Sequence, residues 1–383
     1  MIATIIACVL GAAAIWWFFS HRQHGHEKQH RIADNFTTIA ALKAACRSNG
    51  MESCNLIVAV DFTKSNEWTG ARSYGGRSLH TPSLAGGPRN HYEQALGLCA
   101  ALSDMDEDGL IPCYGFGDAT TRASGVFSFL PDDAPCVGLE GVLARYRELA
   151  PAVTLSGGTS FAPAIRKACA LISAGAPPTY HILLLICDGQ VSSECQQETV
   201  AAIVEASAYP LSIVCVGVGD GPWEAMETFD DDVPARKWDN FQFVPLVKTL
   251  ERARRTGVSE NEAFALAALM EVPEGFAAIK ALGLLGGRAR GAPTRVRTLE
   301  PPALPGAPAA AAAAAPRAPP PPPPPRAATP PAVGECACCL DRPVDRAFPC
   351  GHAICGPCEG ALARPRACHV CRAAAPRSTP LFL

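Results

Sequence analysis

The sequence predicts an α/β protein with a doubly wound, mostly parallel sheet. Three observations carry this. First, between residues 34 and 275 apolar runs of strand length alternate with segments of helical period, the order of a sheet covered by helices on both faces. Second, "NLIVAV" (55–60), "LIPCYGFG" (110–117), "HILLLICD" (181–188) and "LSIVCVGVG" (211–219) are apolar almost throughout, as strands buried on both faces are. Between them, "HYEQALGLCAALSDM" (91–105), "GLEGVLARYRELA" (138–150), "SFAPAIRKACALISA" (160–174) and "CQQETVAAIVEASA" (195–208) repeat apolar residues at helical spacing. Third, 383 residues, 48% of them hydrophobic, with a net charge of -3, describe a globular chain long enough for two domains. That charge balance does not advertise a nucleic-acid partner.

Residues Ile2 to Phe19 contain no charged side chain and just span a hydrocarbon core of ~30 Å as a helix. A cleaved signal peptide is the competing reading. It lacks a basic residue before the apolar run, and Trp16, Trp17, Phe18 and Phe19 stand where small residues should precede cleavage. Residues 1–20 are therefore expected to be a retained transmembrane anchor and 21–33 a juxtamembrane segment. Arg22, Lys28 and Arg31 follow the apolar run, which by the positive-inside tendency makes a single-pass protein with its bulk in the cytosol. Reducing conditions there disfavour disulfides, so the ten cysteines scattered from Cys8 to Cys215 read as small core residues.

After Leu285 the pattern gives way to Gly, Arg and Pro, then to "GAPAAAAAAAPRAPPPPPPPR" (306–326). Residues 276–333 are expected to be a disordered Pro/Ala-rich linker. Its seven consecutive prolines would form a polyproline II spacer of ~20 Å.

The next segment, 334–374, holds four ligand pairs: Cys336 with Cys339, Cys350 with His352, Cys355 with Cys358, and Cys368 with Cys371. Two residues between paired cysteines form a tight turn that brings both thiolates to one tetrahedral metal, so eight ligands imply two Zn²⁺. A segment this short has little core, and its metals must supply folding free energy. Cys338, beside the first pair, reads as a packing residue. Residues 375–383 are a tail.

The order of these pairs resembles a RING finger at all eight ligand positions. The resemblance implies a cross-braced domain in which Cys336, Cys339, Cys355 and Cys358 hold one zinc and Cys350, His352, Cys368 and Cys371 the other. It further implies a RING-type ubiquitin-protein transferase, which docks a ubiquitin-conjugating enzyme and positions its thioester-linked ubiquitin for attack by a substrate lysine. The docking groove would fall on Cys338, Leu340, Leu362 and Val370, and Arg372 would bridge ubiquitin to the conjugating enzyme. Cys338 stands where a larger aliphatic is usual and His369 where proline is, and both changes make the groove smaller or more polar.

At the other end of the folded region, "VAVDFTKSNEWTG" (58–70) sets Asp61, Thr63 and Ser65 at alternate positions directly after an apolar strand. "SGGTSF" (156–161) places Thr159 after two glycines and before a helix, and Asp188 follows the most apolar strand. Taken singly these are equally helix caps and turns. Together they fall at loop positions along the carboxyl edge of a parallel sheet, where such sheets bind ligands, and five hard oxygen ligands suit Mg²⁺ or Ca²⁺. This arrangement resembles the metal-ion-dependent adhesion site (MIDAS) of von Willebrand factor A domains, with Thr63 in place of the usual serine.

"DFTKSNEWTG" (61–70), "TSFAPAI" (159–165), "YHILLLICDGQV" (180–191) and "AFALAALMEVPEGF" (263–276) narrow the resemblance to the copine-type A domain over residues 34–275. A copine-type A domain followed by a RING finger resembles the plant-type RING domain ligase family. Members are usually lipid-anchored at an amino-terminal glycine; Ile2 does not fit that start, and the apolar helix would anchor the chain instead. The resemblance implies protein substrates recruited by the A domain and ubiquitin delivered by the tail. Two other functions remain open: a non-catalytic membrane scaffold with a structural zinc finger, and a metal-dependent hydrolase, for which no general base is seen beside the five oxygens.

Overall fold

The computed structural model describes residues 32, 36–83, 89–175, 179–189, 191–231, 233–286, 293–304, 344–348, 353–360 and 379–380. The expected membrane anchor falls outside them, and among the described residues no helix is long and apolar enough to cross a membrane. The chain divides into two compact units, Met1–Pro308 and Ala309–Leu383.

In the first unit helix α1 (Ile39–Ser48) leads to strand β1 (Asn55–Asp61), then helix α2 (His91–Cys99), strands β2 (Leu110–Ile111), β3 (Cys113–Phe116), β4 (Gly125–Ser128) and β5 (Cys136–Val137), and helices α3 (Gly138–Leu149) and α4 (Ala162–Ala174). Strand β6 (His181–Cys187), helix α5 (Gln196–Ala206), β7 (Leu211–Gly217), α6 (Glu224–Asp231) and β8 (Phe241–Pro245) follow. Helices α7 (Leu246–Thr256), α8 (Glu260–Leu269) and α9 (Val272–Ala281) and strand β9 (Arg297–Leu299) complete it. The sheet order is β8-β7-β6-β1-β3-β4-β9. β1 is parallel to both β3 and β6, whereas β4 runs antiparallel to β3 and β9 parallel to β4. The chain winds outward from β1 in one direction and then in the other, which leaves a crevice at the carboxyl end of β1.

The apolar runs behave as strands covered on both sides. Leu56, Val58 and Val60 of β1 and Ile182, Leu184 and Ile186 of β6 join one buried cluster; Ile57, Ala59, Leu183, Leu185 and Cys187 join the other. Alternation with period two sends successive residues to opposite helix layers, so a continuous apolar run is what this position in the sheet demands. The nine described cysteines of this unit are all buried and nowhere disulfide-bonded, in keeping with their reading as core residues. Burial pushes the Cys99 thiol up to about 12, far from a reactive thiolate.

Three expectations need correction. "LIPCYGFG" is not one strand: β2 pairs antiparallel with β5, while β3 pairs with β1. Pro112 separates them because it has no N–H for a ladder, although its carbonyl still accepts from Val58 at 2.9 Å. The segment 91–105 is an α-helix only to Cys99 and tightens into a 3₁₀ turn over Ala100–Met105. The folded region also continues past 275: Phe276 and Ile279 are buried in the core and β9 pairs with β4, so this unit includes elements as far as Leu299.

The second unit holds a three-stranded sheet of β10 (Arg346–Ala347), β11 (Ala353–Ile354) and β12 (Thr379–Pro380), ordered β11-β10-β12, and a short helix α10 (Gly356–Gly360). Val344, Phe348, Ile354 and Cys355 form its small core.

Candidate metal centre

Asp61 is the last residue of β1, and Ser65 lies in the 3₁₀ turn Lys64–Glu67 that follows. Lys64 N–H donates to the Ser156 carbonyl at 3.1 Å, drawing the first loop against the loop that carries Thr159. Asp188 follows β6, the neighbour of β1. All five residues expected at the metal edge therefore meet at one place. Thr159 Oγ1 donates to Thr63 Oγ1 at 3.3 Å, Thr63 Oγ1 lies 3.0 Å from Ser65 Oγ, and Ser65 Oγ donates to Asp188 Oδ1 at 3.0 Å. With each hydroxyl supplying one proton, the chain of donors runs from Thr159 through Thr63 and Ser65 to Asp188.

Asp61 anchors the other side. Its Oδ1 accepts from Thr63 N–H at 2.7 Å, whereas its Oδ2 is buried without any hydrogen-bond partner. Both carboxylates have no exposed surface. Burial first, and then the Asp188 charge, push Asp61 well above its ordinary 3.8; burial also raises Asp188, against the Ser65 and Thr69 hydroxyls that donate to it. Two buried like charges and an orphaned carboxylate oxygen are an arrangement that a divalent cation would neutralise. The donors are all oxygen, which fits Mg²⁺ or Ca²⁺. Among the described residues no three His, Cys, Asp or Glu side chains cluster, so a cation at this edge must rely on the hydroxyls.

Without metal, the unfolded chain releases these protons near 3.8 while the folded protein retains them to higher pH. Stability of the metal-free protein therefore falls as pH rises from there through the raised folded values. A cation needs both carboxylates ionised, so the gain in melting temperature from Mg²⁺ should be larger near about pH 8 than near about pH 5. Thermal denaturation with Mg²⁺ and with EDTA at the two pH values checks this.

Sequence reasoning missed several supports. Thr69 Oγ1 donates to Asp188 Oδ2 at 2.8 Å from within the stretch already singled out. Ser192 Oγ accepts from Thr159 N–H at 2.8 Å, and a β-carbon on Gly158 would come within 2.6 Å of that oxygen. The threonine methyl of position 63 packs over Gly117, whose φ is +82° and where a β-carbon would lie 2.2 Å from Thr63 Cγ2. Gly117→Ala should therefore cost about 1–3 kcal/mol through its left-handed backbone alone. It should also weaken Mg²⁺ binding by displacing Thr63, and adding Thr63→Ser, which removes the methyl, should restore part of the binding but not of the stability. Calorimetry and denaturant unfolding separate the two.

His80 lies directly behind Asp61. Its Nε2 is 2.9 Å from the Asp61 carbonyl and its Nδ1 3.0 Å from the Tyr146 hydroxyl, and burial lowers its pKa to about 3, so it is neutral. In front of these oxygen side chains opens a cleft of about 620 Å³ lined by Lys64, Ser65, Trp68, Thr69, Thr159 and Pro222, with Trp68 57% exposed.

In the tail, Cys355 is buried and Cys358, in α10, is half-buried. Gly356 N–H donates to Asp345 Oδ1 at 2.6 Å and fixes the start of that helix. The other six expected zinc ligands, Cys336, Cys339, Cys350, His352, Cys368 and Cys371, lie outside the described residues. So do Cys338, Leu340, Leu362, Val370 and Arg372.

The fold and the oxygen-lined edge define a copine-type von Willebrand factor A domain, and the copine family model matches residues 78–288. The resemblance extends well beyond this domain. E3 ubiquitin-protein ligase RGLG5 of Arabidopsis thaliana is 44% identical over 368 residues, covering 90% of this chain and 83% of the relative. E3 ubiquitin-protein ligase RGLG3 of the same plant is 41% identical over 358 residues, covering 89% and 94%. Copine family protein 2 of Caenorhabditis elegans is 42% identical over 262 residues, covering 67% of this chain and 3% of the relative. The chain belongs to the RGLG family of E3 ubiquitin-protein ligases. Among solved structures, a von Willebrand factor type A protein from Catenulispora acidiphila aligns over 55% of this chain and 43% of its own, with a TM-score of 0.34 and 18% identity. A likeness of that size carries no functional argument.

Proposed function

We propose that the protein is a membrane-anchored RING-type ubiquitin ligase whose A domain captures substrates through a divalent cation. The observation that carries the ligase reading is identity above 40% to ligases of this family, sustained over nine tenths of the chain. Asp61, Thr63, Ser65, Thr159 and Asp188 would hold Mg²⁺ or Ca²⁺, and the cation would supply a positive centre able to accept a carboxylate from a protein partner. The protein's own contribution is to bury the two aspartates at one edge and to line the hydroxyls of Thr159, Thr63, Ser65 and Thr69 up between them.

The tail would bind two Zn²⁺ through its eight ligands. It would dock a ubiquitin-conjugating enzyme on Cys338, Leu340, Leu362 and Val370, with Arg372 fixing the ubiquitin. Catalysis there is positioning, with no covalent intermediate on the ligase. Residues 1–20 would hold the chain in a membrane with both domains in the cytosol.

Self-ubiquitination with a panel of conjugating enzymes tests the reading. The wild type should be active with at least one enzyme, and Arg372→Ala should slow transfer roughly tenfold or more without loss of zinc. Inactivity with every enzyme, despite two bound zincs, would favour a scaffold; the departures at Cys338 and His369 are the features that would explain it.

A further inference from the structure

Two buried hydrogen-bond chains converge on the metal loop from behind. Tyr92 Oη donates to Asn66 Oδ1 at 2.7 Å, and Asn66 Nδ2 donates to the Thr63 carbonyl at 3.1 Å. Tyr146 Oη lies 3.0 Å from His80 Nδ1, and His80 Nε2 lies 2.9 Å from the Asp61 carbonyl. A carbonyl oxygen only accepts, so Nε2 carries the ring proton, and Nδ1 of the neutral ring accepts from Tyr146. Each chain ends on the backbone of a residue whose side chain faces the cation site.

The chains are locked to one another. His80 is stacked between Phe62, at 4.5 Å and 12°, and Tyr92, at 4.3 Å and 16°. Phe62, the residue between Asp61 and Thr63, is thus clamped by its ring while its two neighbours are clamped by their carbonyls. Asn66, Phe62 and Tyr92 have no exposed surface, and His80 and Tyr146 are 6% and 1% exposed. Helix α2 supplies Tyr92 and α3 supplies Tyr146, so two helices of one layer reach the same loop.

We propose that Tyr92–Asn66 and Tyr146–His80 form a positioning network that sets the backbone of Asp61 and Thr63 for cation binding. The inference rests on the reading of this edge as a cation site. The Thr63 carbonyl also accepts from Asn66 N–H at 3.3 Å within its own turn; four buried polar side chains behind the two carbonyls fix Asp61 and Thr63 before a metal arrives. Groups placed behind metal ligands in this way commonly govern affinity as well as orientation.

The test measures Mg²⁺ alone, by calorimetry, on the full zinc-loaded chain. Tyr92→Phe together with Tyr146→Phe removes only two hydroxyls. Tyr180→Phe is the control: its buried hydroxyl bonds Ser212 Oγ at 2.7 Å beside the amino ends of β6 and β7. The double variant should bind Mg²⁺ about 10- to 100-fold more weakly, and Tyr180→Phe should bind as the wild type does. His80→Gln, which keeps a donor for the Asp61 carbonyl, should retain most of the affinity that His80→Phe loses. Wild-type affinity in the double variant, or an equal loss in Tyr180→Phe, overturns the network. Absence of saturable Mg²⁺ binding in the wild type, or binding that survives Asp61→Ala, overturns the cation site itself and the network with it.

Discussion

In Asp61→Ala the rise in melting temperature that Mg²⁺ gives the wild type disappears. Metal at a hundredfold excess over its dissociation constant stabilises a folded protein by about 2.7 kcal/mol, which for a domain of this size is roughly 5–10 °C. The alanine removes the orphaned Oδ2 and the Oδ1 that accepts from Thr63 N–H, so the loop loses both its charge and its anchor. In EDTA the effect is opposed. Asp188 no longer faces a second buried carboxylate, and that relief offsets part of the lost packing and hydrogen bond. The variant should therefore fold, melt close to the metal-free wild type, and be indifferent to Mg²⁺. A Mg²⁺ response equal to that of the wild type would remove Asp61 from the site.

Cys355→Ser should abolish self-ubiquitination. Cys355 sits in the small core formed with Val344, Phe348 and Ile354, the one apolar cluster among the described residues of the second unit. A structural zinc contributes on the order of 10–16 kcal/mol to such a fold, far more than these few apolar contacts. Zinc content should fall below two per chain, while the Mg²⁺ response of the A domain is unchanged. Full activity with one zinc missing would separate transfer from the tail.

The sequence showed the five candidate ligands more clearly than their supports. Asp61, Thr63, Ser65, Thr159 and Asp188 were legible because each follows an apolar strand or precedes a helix, where an oxygen side chain interrupts a strong pattern. His80, Asn66 and Thr69 lie in a connection with no period, and their roles depend on which buried atoms they meet across the fold. The central strands β1, β6 and β7 were legible as continuous apolar runs. Strands β4, β8 and β9 escaped, being three to five residues long and too short to show a period. Such strands owe their pairing to neighbours already in place, as β9 does along β4. Pro112 was the available signal that residues 110–117 could not form one ladder.

The two-part account is tested most directly by ubiquitin transfer to a protein partner recovered on the wild-type A domain in Mg²⁺, compared between wild type and Asp61→Ala in one reaction. Partner modification should be lost in the variant and in EDTA, while self-ubiquitination by the same chains continues at the wild-type rate. If both activities fall together, or if partner modification persists without the cation site, substrate capture does not reside at the metal edge.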